Sequence, residues 1–379
     1  MACTSKTILF VVNAPEFFLS HRLPIAIAAQ AAGCDVHVAT ADGSDVVKIQ
    51  AHGFTHHVIP FARSGQNPLS ELNTLLRLIR LLRLIKPNLV HLITIKPVLY
   101  GGIAARFAGI KSVVCAVSGL GTVFLADSTA AKVRKWLVTR LYCTAFKQKQ
   151  LAVIFQNTDD RDTLLELDAL HPTQARMIRG SGVDLSDYPY LPEPQGKLVV
   201  VMAARLLKDK GVFEYVEAAR LLRQRGLELE MRLVGSPDPG NPTTVTQQEL
   251  NQWAEEGCVL LVGFRNDIAA QYAAANIVCL PSYREGLPKS LVEAAACGRA
   301  VVTTDVPGCR DAITPDVTGL LVPVKDATAL ADAIQKLIEE PALRKRMGQA
   351  GRALAEEAFA IEKIVEQHME IYREMLGGE

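Results

Sequence analysis

This sequence predicts two α/β domains, each an open, doubly wound parallel sheet with helices on both faces. Three observations lead there. Short apolar runs rich in β-branched residues alternate with amphipathic segments along most of the 379 residues, the pattern of a parallel sheet buried on both sides. The alternation dissolves once, in the proline-rich stretch SDYPYLPEPQGK at 186–197, and then restarts, which reads as a linker. Charge also divides there: residues 1–190 hold 20 Lys+Arg against 13 Asp+Glu, a balance of +7, and the remainder 21 against 27, a balance of −6. A basic half and an acidic half point to different partners. The length suits two domains, and 49% hydrophobic against 21% charged residues describes substantial cores.

Taken in order, Thr7–Asn13 is a buried strand, and the Glu16–His21 loop after it is expected to face a ligand. Ser20 caps a helix at Arg22–Ala32, which Gly33 ends. Asp35–Ala39, Phe54–Ile59, Leu89–Ile93, Ser112–Val117 and Ala152–Gln156 read as the following strands. Between them lie helices at Asp45–His52, Ser70–Ile85, Lys96–Phe107 and Ala130–Lys149. After the linker, strands are expected at Leu198–Ala203, Glu230–Val234, Val259–Leu261, Ile277–Leu280, Ala300–Thr304 and Gly319–Val322. Helices alternate with them at Val212–Arg225, Thr246–Glu256, Asp267–Ala274 and Leu291–Cys297. Three long amphipathic helices close the chain at Thr328–Glu339, Pro341–Phe359 and Ile361–Met375. The domains are therefore expected at 1–187 and 197–358, with the terminal helix, 361–379, crossing back onto the first. Two such domains would form a cleft where the carboxyl ends of their strands face each other.

Several classes are disfavoured. The eight cysteines, Cys3, Cys34, Cys115, Cys143, Cys258, Cys279, Cys297 and Cys309, show neither a CxxC nor metal-ligand spacing, which favours free thiols in a reducing cytosol. No apolar run is long enough to span a membrane, and MACTSKTILFVVNA runs into a strand without a signal-peptide cleavage pattern. A net charge of +1 and no recognisable module disfavour nucleic acid.

The chain's chemistry centres on PSYREGLPKSLVEAAACGRAV, Pro281–Val301. A short apolar strand leads into Glu285 and a Gly-Leu-Pro turn, and an Ala-rich helix follows from about Lys289. Pro288 suits the first helical position. Such a helix start aims free N–H groups and a positive dipole end outward, the makings of a phosphate site. Glu285 before the helix and Glu293 one turn inside are unsuited to the phosphate and suited to hydroxyls. A ligand with phosphate in the middle and hydroxyls on both sides is a nucleotide sugar. Upstream, Arg205 and Lys210 follow directly after the strand Leu198–Ala203. There they are solvated loop charges or, with an anion-ready helix in the same domain, the groups that neutralise a diphosphate.

These residues carry a resemblance. Arg205, Lys210-Gly211 and the pair Glu285 and Glu293, with seven residues between them, are similar to the donor half of the retaining glycosyltransferases of family 4, which have the GT-B architecture. VVNAPEFFLSHRLPIA, HLITIKPVLYGG, SGLGTVF, FQNTDDR and TDVPGCRD extend the resemblance over the whole chain, to the subgroup acting in bacterial O-antigen, capsule and glycan assembly. The resemblance implies that Glu293 accepts from ribose hydroxyls and that Glu285 binds the donor sugar, with Gly286 and Leu287 close by. Arg205 and Lys210 would stabilise the leaving diphosphate, and Gly263, Phe264 and Arg265 would hold the nucleobase. No metal or other cofactor is implied; the nucleotide sugar is a substrate, and the nearest imitation of an Asp-x-Asp pair, Asp159-Asp160, is read as a helix cap.

In the first domain, Asn13, His21, Thr94, Lys96 and Gly119 are candidates for the acceptor. Asn13 and His21 follow the first strand, and Thr94 and Lys96 suit a phosphate. Gly119, with Gly121, lets backbone approach a ligand. His21 reads equally as a surface histidine. His91 lacks the second histidine that many members carry two residues on, where this chain has Ile93. Two basic stretches account for the +7. Leu75–Pro87 sets Arg77, Arg80 and Arg83 at three-residue spacing beside leucines, and Ala131–Lys149 holds six cations with Trp136 and Tyr142. Such faces lie on an anionic membrane or turn their apolar sides to the core with the cations solvated; the second stretch is the better membrane candidate.

The expected function is transfer of a sugar, with retention, from a nucleotide sugar, which the resemblance implies is UDP-linked, to a polyprenyl-diphosphate-linked saccharide. The acceptor hydroxyl would attack on the face that the diphosphate leaves, and no residue is required as a covalent nucleophile. The expected place is the cytoplasmic side of the plasma membrane, held peripherally. A GT-B epimerase and a non-catalytic nucleotide-sugar binder are the alternatives.

Overall fold

The computed structural model describes residues 6–61, 67–120 and 129–377. The chain divides into two compact units, one of residues 1–181 with 362–379 and one of residues 182–361.

The first unit is a seven-stranded parallel sheet. Its strands are β1 (Thr7–Val12), β2 (Asp35–Thr40), β3 (Thr55–Val58), β4 (Leu89–Ile93), β5 (Ser112–Val117), β6 (Gln150–Phe155) and β7 (Ala175–Met177), in the order β3-β2-β1-β4-β5-β6-β7. Its helices are α1 (Pro15–His21), α2 (Leu23–Ala31), α3 (Val46–Ala51), α4 (Pro68–Ile85), α5 (Gly102–Ala108), α6 (Thr129–Ala145) and α7 (Thr158–Glu166). The period of two divides each central strand between the faces. Leu9, Val11, Val90, Leu92, Val113 and Cys115 pack with residues of α4, α5 and α6, such as Leu78, Ala104 and Tyr142. Ile8, Phe10, Val12, Leu89, Ile93 and Val114 pack on the other side with residues of α2 and the carboxyl-terminal helix.

The second unit has β8 (Leu198–Ala203), β9 (Leu229–Val234), β10 (Leu260–Gly263), β11 (Ile277–Leu280), β12 (Ala300–Thr304) and β13 (Gly319–Val322), in the order β10-β9-β8-β11-β12-β13. It carries α8 (Val212–Gln224), α9 (Gln247–Glu256), α10 (Ile268–Ala273), α11 (Lys289–Ala296), α12 (Ala327–Glu339) and α13 (Pro341–Leu354). The last helix, α14 (Ile361–Met375), belongs to the first unit. There its Tyr372 hydroxyl meets His91 Nδ1 at 2.5 Å, and the Met375 carbonyl accepts from Ser112 Oγ at 2.7 Å.

In each sheet strand order reverses beside the first strand of its unit, between β1 and β4 and between β8 and β11. The loops leaving the carboxyl ends of those pairs diverge to opposite sides and leave a crevice for a ligand.

The structure departs from the sequence expectations in definite places. Pro15–His21 is a helix, not a loop, because Pro15 supplies a preset first helical residue. Ser20 therefore caps nothing, and its Oγ donates back to the Glu16 carbonyl at 2.7 Å. Pro288 is the N-cap of α11, and Lys289 is its first residue. Asn157, whose side chain accepts from the Asp160 N–H, caps α7, with Asp159 and Asp160 in the first turn; that helix and β7 had no sequence assignment.

The segment read as a linker is a strap on the second unit. Its prolines exclude helix and ladder, yet its extended backbone offers carbonyls. Pro192 accepts from the buried Arg299, Pro194 from Asn276 and Tyr188 from Arg352, while Glu193 and Arg344 form a buried ion pair at 3.0 Å. The seven described cysteines are free thiols. Gly121, Cys3 and the side chains of Ala131 and Lys132 lie outside the described residues.

Candidate functional site

The second unit builds its site from the loops after β8 and β11, the two strands of its reversal. The first runs through Arg205 to Gly211, with Leu206 and Leu207 buried as anchors. Lys208–Lys210 form one tight turn, which ends at Gly211 with φ +73°. A Cβ on Gly211 would run into the Pro281 carbonyl, so only glycine lets this loop lie on the exit of β11. The Tyr283 N–H donates to the Asp209 carbonyl at 2.9 Å and ties the two loops together.

That contact brings Lys210 onto Glu285, a closely paired ammonium and carboxylate, both largely buried. Ser282 Oγ donates to Glu285 Oε1 at 2.7 Å, and Thr304 Oγ1 holds the Ser282 carbonyl. The Glu285 N–H bonds the Pro307 carbonyl at 3.2 Å. Next to it, Gly308, at φ +82°, is so close to the Glu285 and Gly286 backbone that a Cβ would meet their carbonyl oxygens at 2.5 and 2.6 Å. Glu285 is thus held from three loops, those after β8, β11 and β12. An ammonium beside a fixed carboxylate is a charge pair that an incoming diphosphate can open.

Glu293 sits inside α11 and is 8% exposed. Its Oε1 accepts from the Tyr188 hydroxyl at 2.7 Å, and Lys289 Nζ stands 3.6 Å away. Burial raises its pKa above the ordinary carboxylate value, against the charge of Lys289 and the Tyr188 bond. The Tyr188 phenol is raised as well, first by burial and then by the Glu293 charge. Glu293 is therefore a carboxylate with a ready hydrogen-bond donor and little water. The two glutamates keep separate partners.

Arg205 is placed apart. Its Nη1 pairs with Asp238 at 2.8 Å, and the side chain is 61% exposed. Gly263, at φ +76°, accepts the Gly235 N–H at 2.9 Å; Phe264 is exposed, and Arg265 forks onto Asp267 with two 2.7 Å bonds. Leu287 is buried in the second unit's core.

In the first unit the reversal carries neutral groups. Val12 pairs with Ile93 and Ile93 with Ala116, so Asn13, Thr94 and Ser118 follow three neighbouring strands along one edge. Asn13 Oδ1, Thr94 Oγ1 and Ser118 Oγ are buried and have no hydrogen-bond partner among the described residues. Thr94 has φ +73°, an uncommon conformation for a β-branched residue, and Gly119 has φ +107°. Lys96 is held by Glu71 at 2.6 Å. His21 stacks on Phe17 with ring centroids 4.0 Å apart and meets Ser20 Oγ at 2.7 Å. His91 is buried among Phe10, His368 and Tyr372.

Sequence reasoning missed Tyr188, Ser282, Ser118, Asp238 and Gly308. Ser282 stands three residues before Glu285, and Gly308 lies in TDVPGCRD, so spacing offered some signal for both. Tyr188 was concealed in the proline-rich strap.

Residues 189–354 match the model of the glycosyl transferases group 1 family, and residues 7–157 match that of the glycosyl transferase 4-like family. The chain is 28% identical over 378 residues to the N,N'-diacetylbacillosaminyl-diphospho-undecaprenol alpha-1,3-N-acetylgalactosaminyltransferase of Campylobacter jejuni, covering 94% of this chain and 97% of the relative. It is 26% identical over 321 residues to the UDP-Gal:alpha-D-GlcNAc-diphosphoundecaprenol alpha-1,3-galactosyltransferase of Escherichia coli, covering 81% of each. The structure of sucrose-phosphate synthase from Thermosynechococcus elongatus superposes with a TM-score of 0.79 at 22% identity, covering 98% of this chain and 99% of that one.

Proposed function

We propose, for a chain that belongs to the group 1, 4-like glycosyltransferases with the GT-B fold, that it moves a hexose or N-acetylhexosamine, with retention, from a UDP-sugar to a polyprenyl-diphosphate-linked saccharide. The observation that carries the reading is the Lys210–Glu285 pair at the β8/β11 reversal. There a leaving diphosphate draws the ammonium away and frees the carboxylate for the sugar. The names of the Campylobacter jejuni and Escherichia coli relatives, both of which act on diphospho-undecaprenol saccharides, support the acceptor class. The transferase family sets the epimerase alternative aside.

In this reading Glu293 exchanges the Tyr188 hydroxyl for the ribose hydroxyls. Gly286 and Leu287 lie along the sugar, Gly263, Phe264 and Arg265 flank the base, and Arg205 leaves Asp238 for the diphosphate. The bond from C1 to the phosphate oxygen breaks as the acceptor oxygen bonds C1 on the same face. The acceptor's proton passes to the departing phosphate. The protein's own part is positioning and charge stabilisation; no metal is assigned a role. Asn13, His21, Thr94, Lys96 and Gly119 belong to the acceptor side.

Because the acceptor is lipid-linked, we place the enzyme peripherally on the cytoplasmic face of the membrane. Among the described residues no helix is long and apolar enough to cross one. Trp136 and Leu137 of α6 are more than half exposed or nearly so, beside Arg140, whose guanidinium lies 5.6 Å from the Trp136 ring centre. Leu69, Leu72 and Leu76 make an exposed apolar stripe on α4.

The test is release of UDP on adding a short lipid-linked acceptor, with a panel of nucleotide sugars ranked first by thermal stabilisation. Release that requires the acceptor supports transfer. Donor binding with no release for any acceptor would identify a binding protein.

A further inference from the structure

A cavity of about 730 Å³ lies at the opposite edge of the first unit's sheet from Asn13 and Thr94. Lys6, Asn88, Ser112 and Gln150, which line it, stand at the amino ends of β1, β4, β5 and β6. Six residues of β1 put it about 20 Å from the carboxyl edge, at roughly 3.3 Å per residue. It therefore has no part in the donor or acceptor chemistry proposed above.

Its charge is one-sided. Lys6, Arg83, Lys86 and Lys111 line it, and among the described residues no Asp or Glu does. Two of these cations have carbonyl partners: Lys6 Nζ donates to Leu376 at 2.9 Å and Arg83 Nη2 to Phe107 at 3.2 Å. Cations at helix carboxyl ends answer the helix dipole, which accounts for Arg83 in the last turn of α4 and for Lys86, its C-cap. It does not account for Lys111, which stands before a strand. The ammonium groups of Lys86 and Lys111 have no partner among the described residues.

Apolar side chains stand beside the same cations. Leu84, next to Arg83, is 80% exposed, and Phe107, whose carbonyl Arg83 holds, is 63% exposed. Water is a poor environment for two such side chains, and exposed ammonium groups with no partner among the described residues are open to an anion. Both needs are met where a phosphate adjoins acyl chains. We propose that this amino-edge pocket binds the phosphate headgroup of an anionic phospholipid, with Leu84 and Phe107 entering the acyl boundary. The proposal deepens the membrane-surface part of the proposed function and rests on it.

The experiment is flotation of the full chain with phosphatidylcholine vesicles, with and without phosphatidylglycerol, at low and physiological salt. The wild type is expected to float only with phosphatidylglycerol. Lys86→Glu/Lys111→Glu is expected to lower the partition by about tenfold or more, and Lys86→Gln/Lys111→Gln by less, in line with a modest gain per cation near an anionic surface. Leu84→Ser/Phe107→Ser should lose binding too, while all three keep the wild-type donor-induced thermal shift. Flotation of the Lys86→Glu/Lys111→Glu variant at the wild-type level would overturn the pocket. So would a wild type that stays with the soluble fraction at low salt. Displacement from vesicles by millimolar inorganic phosphate or glycerol phosphate would assign the pocket to a soluble anion and overturn the lipid. UDP release in detergent reads the transferase independently, so failure of either reading is separable from failure of the other.

Discussion

The two units reverse strand order in the same way and fill the reversal in opposite ways. In the second, the crevice is charged and its candidate groups are paired: Lys210 on Glu285, Glu293 under Tyr188, Arg205 on Asp238. In the first, the corresponding edge carries Asn13, Thr94 and Ser118, uncharged and with buried oxygens lacking partners. The first unit keeps its titratable cluster behind the sheet, where Arg22, His91, His368 and Tyr372 are buried against α14. A site for a charged, diphosphate-bearing ligand needs preset charges, which must be neutralised among themselves until it arrives. A site for sugar hydroxyls needs neutral donors and acceptors whose capacity is still open.

The largest effect that would break this contrast is on Lys210. Lys210→Ala should lower kcat by about 10²–10³-fold, the usual loss for one group that stabilises developing charge, with acceptor KM little changed. Steady-state UDP release measures both. Unimpaired turnover would remove Lys210 from the diphosphate. Glu293→Gln should weaken donor binding by about tenfold or more, on the scale of a charge-assisted hydrogen bond, roughly 1.5–3 kcal/mol. The same change should stabilise the ligand-free protein. Because burial raises the folded pKa of Glu293, the native state binds more protons than the unfolded chain between the two pKa values. Stability contributed by Glu293 therefore falls as pH rises through that window and does not return above it. Melting curves from pH 4 to 8 should show Glu293→Gln gaining on wild type with pH; equal melting temperatures throughout would contradict a carboxylate whose burial outweighs its partners Tyr188 and Lys289.

How legible each region was follows from the same contrast. β4, β5, β8, β11, β12, β13 and α14 have the bounds read from the sequence; the runs of β4, β5, β11, β12 and β13 end abruptly at Pro or polar residues. Arg205, Lys210, Glu285 and Glu293 stood out in the sequence as charged residues following apolar strand runs or inside an Ala-rich helix. Their actual pairing was not legible: Lys210 meets Glu285 through a close approach of Gly211 to Pro281 that no spacing states. Tyr188 was hidden because prolines announce a linker, and it takes the buried Arg299, Arg344 and Asn276, with the partly buried Arg352, to turn that segment into a strap. α1 was hidden by its brevity. On the acceptor side, Ser118 is one serine among many until strand register places it beside Thr94.

The first unit's rear cluster gives the next effect. Burial holds His91 well below the usual histidine range and His368 down to about 3, with Arg22 lowering both further. Arg22 itself is lowered to about 10 by burial. Each histidine is neutral in the folded chain and charged in the unfolded chain below about pH 6.5. The unfolded state then binds more protons, so their contribution is full above that pH and is lost as pH falls toward the folded values, by up to about 1.4 kcal/mol per pH unit per histidine. Urea midpoints should drop between pH 6.5 and 5, and His368→Gln should shallow the drop. A slope unaltered by His368→Gln would show that this histidine is not held neutral.

The smallest effect on stability is also the sharpest test of the acceptor edge. Thr94→Ala removes a hydroxyl with no hydrogen-bond partner among the described residues and relieves a β-branched side chain at φ +73°. Removing a buried, unbonded polar atom costs none of the usual 0.5–1.5 kcal/mol of a hydrogen bond, so the melting temperature should hold or rise slightly. If that oxygen is kept open for an acceptor hydroxyl, acceptor KM rises several-fold while the donor-induced thermal shift is unchanged. In the second unit, Tyr188→Phe should do the reverse, lowering ligand-free stability by about 1–3 kcal/mol by leaving the buried Glu293 oxygen only the more distant Lys289 ammonium and leaving acceptor KM alone. Thr94→Ala that destabilises the protein, or that alters donor binding in place of acceptor KM, would mean that the two edges do not divide the substrates between them.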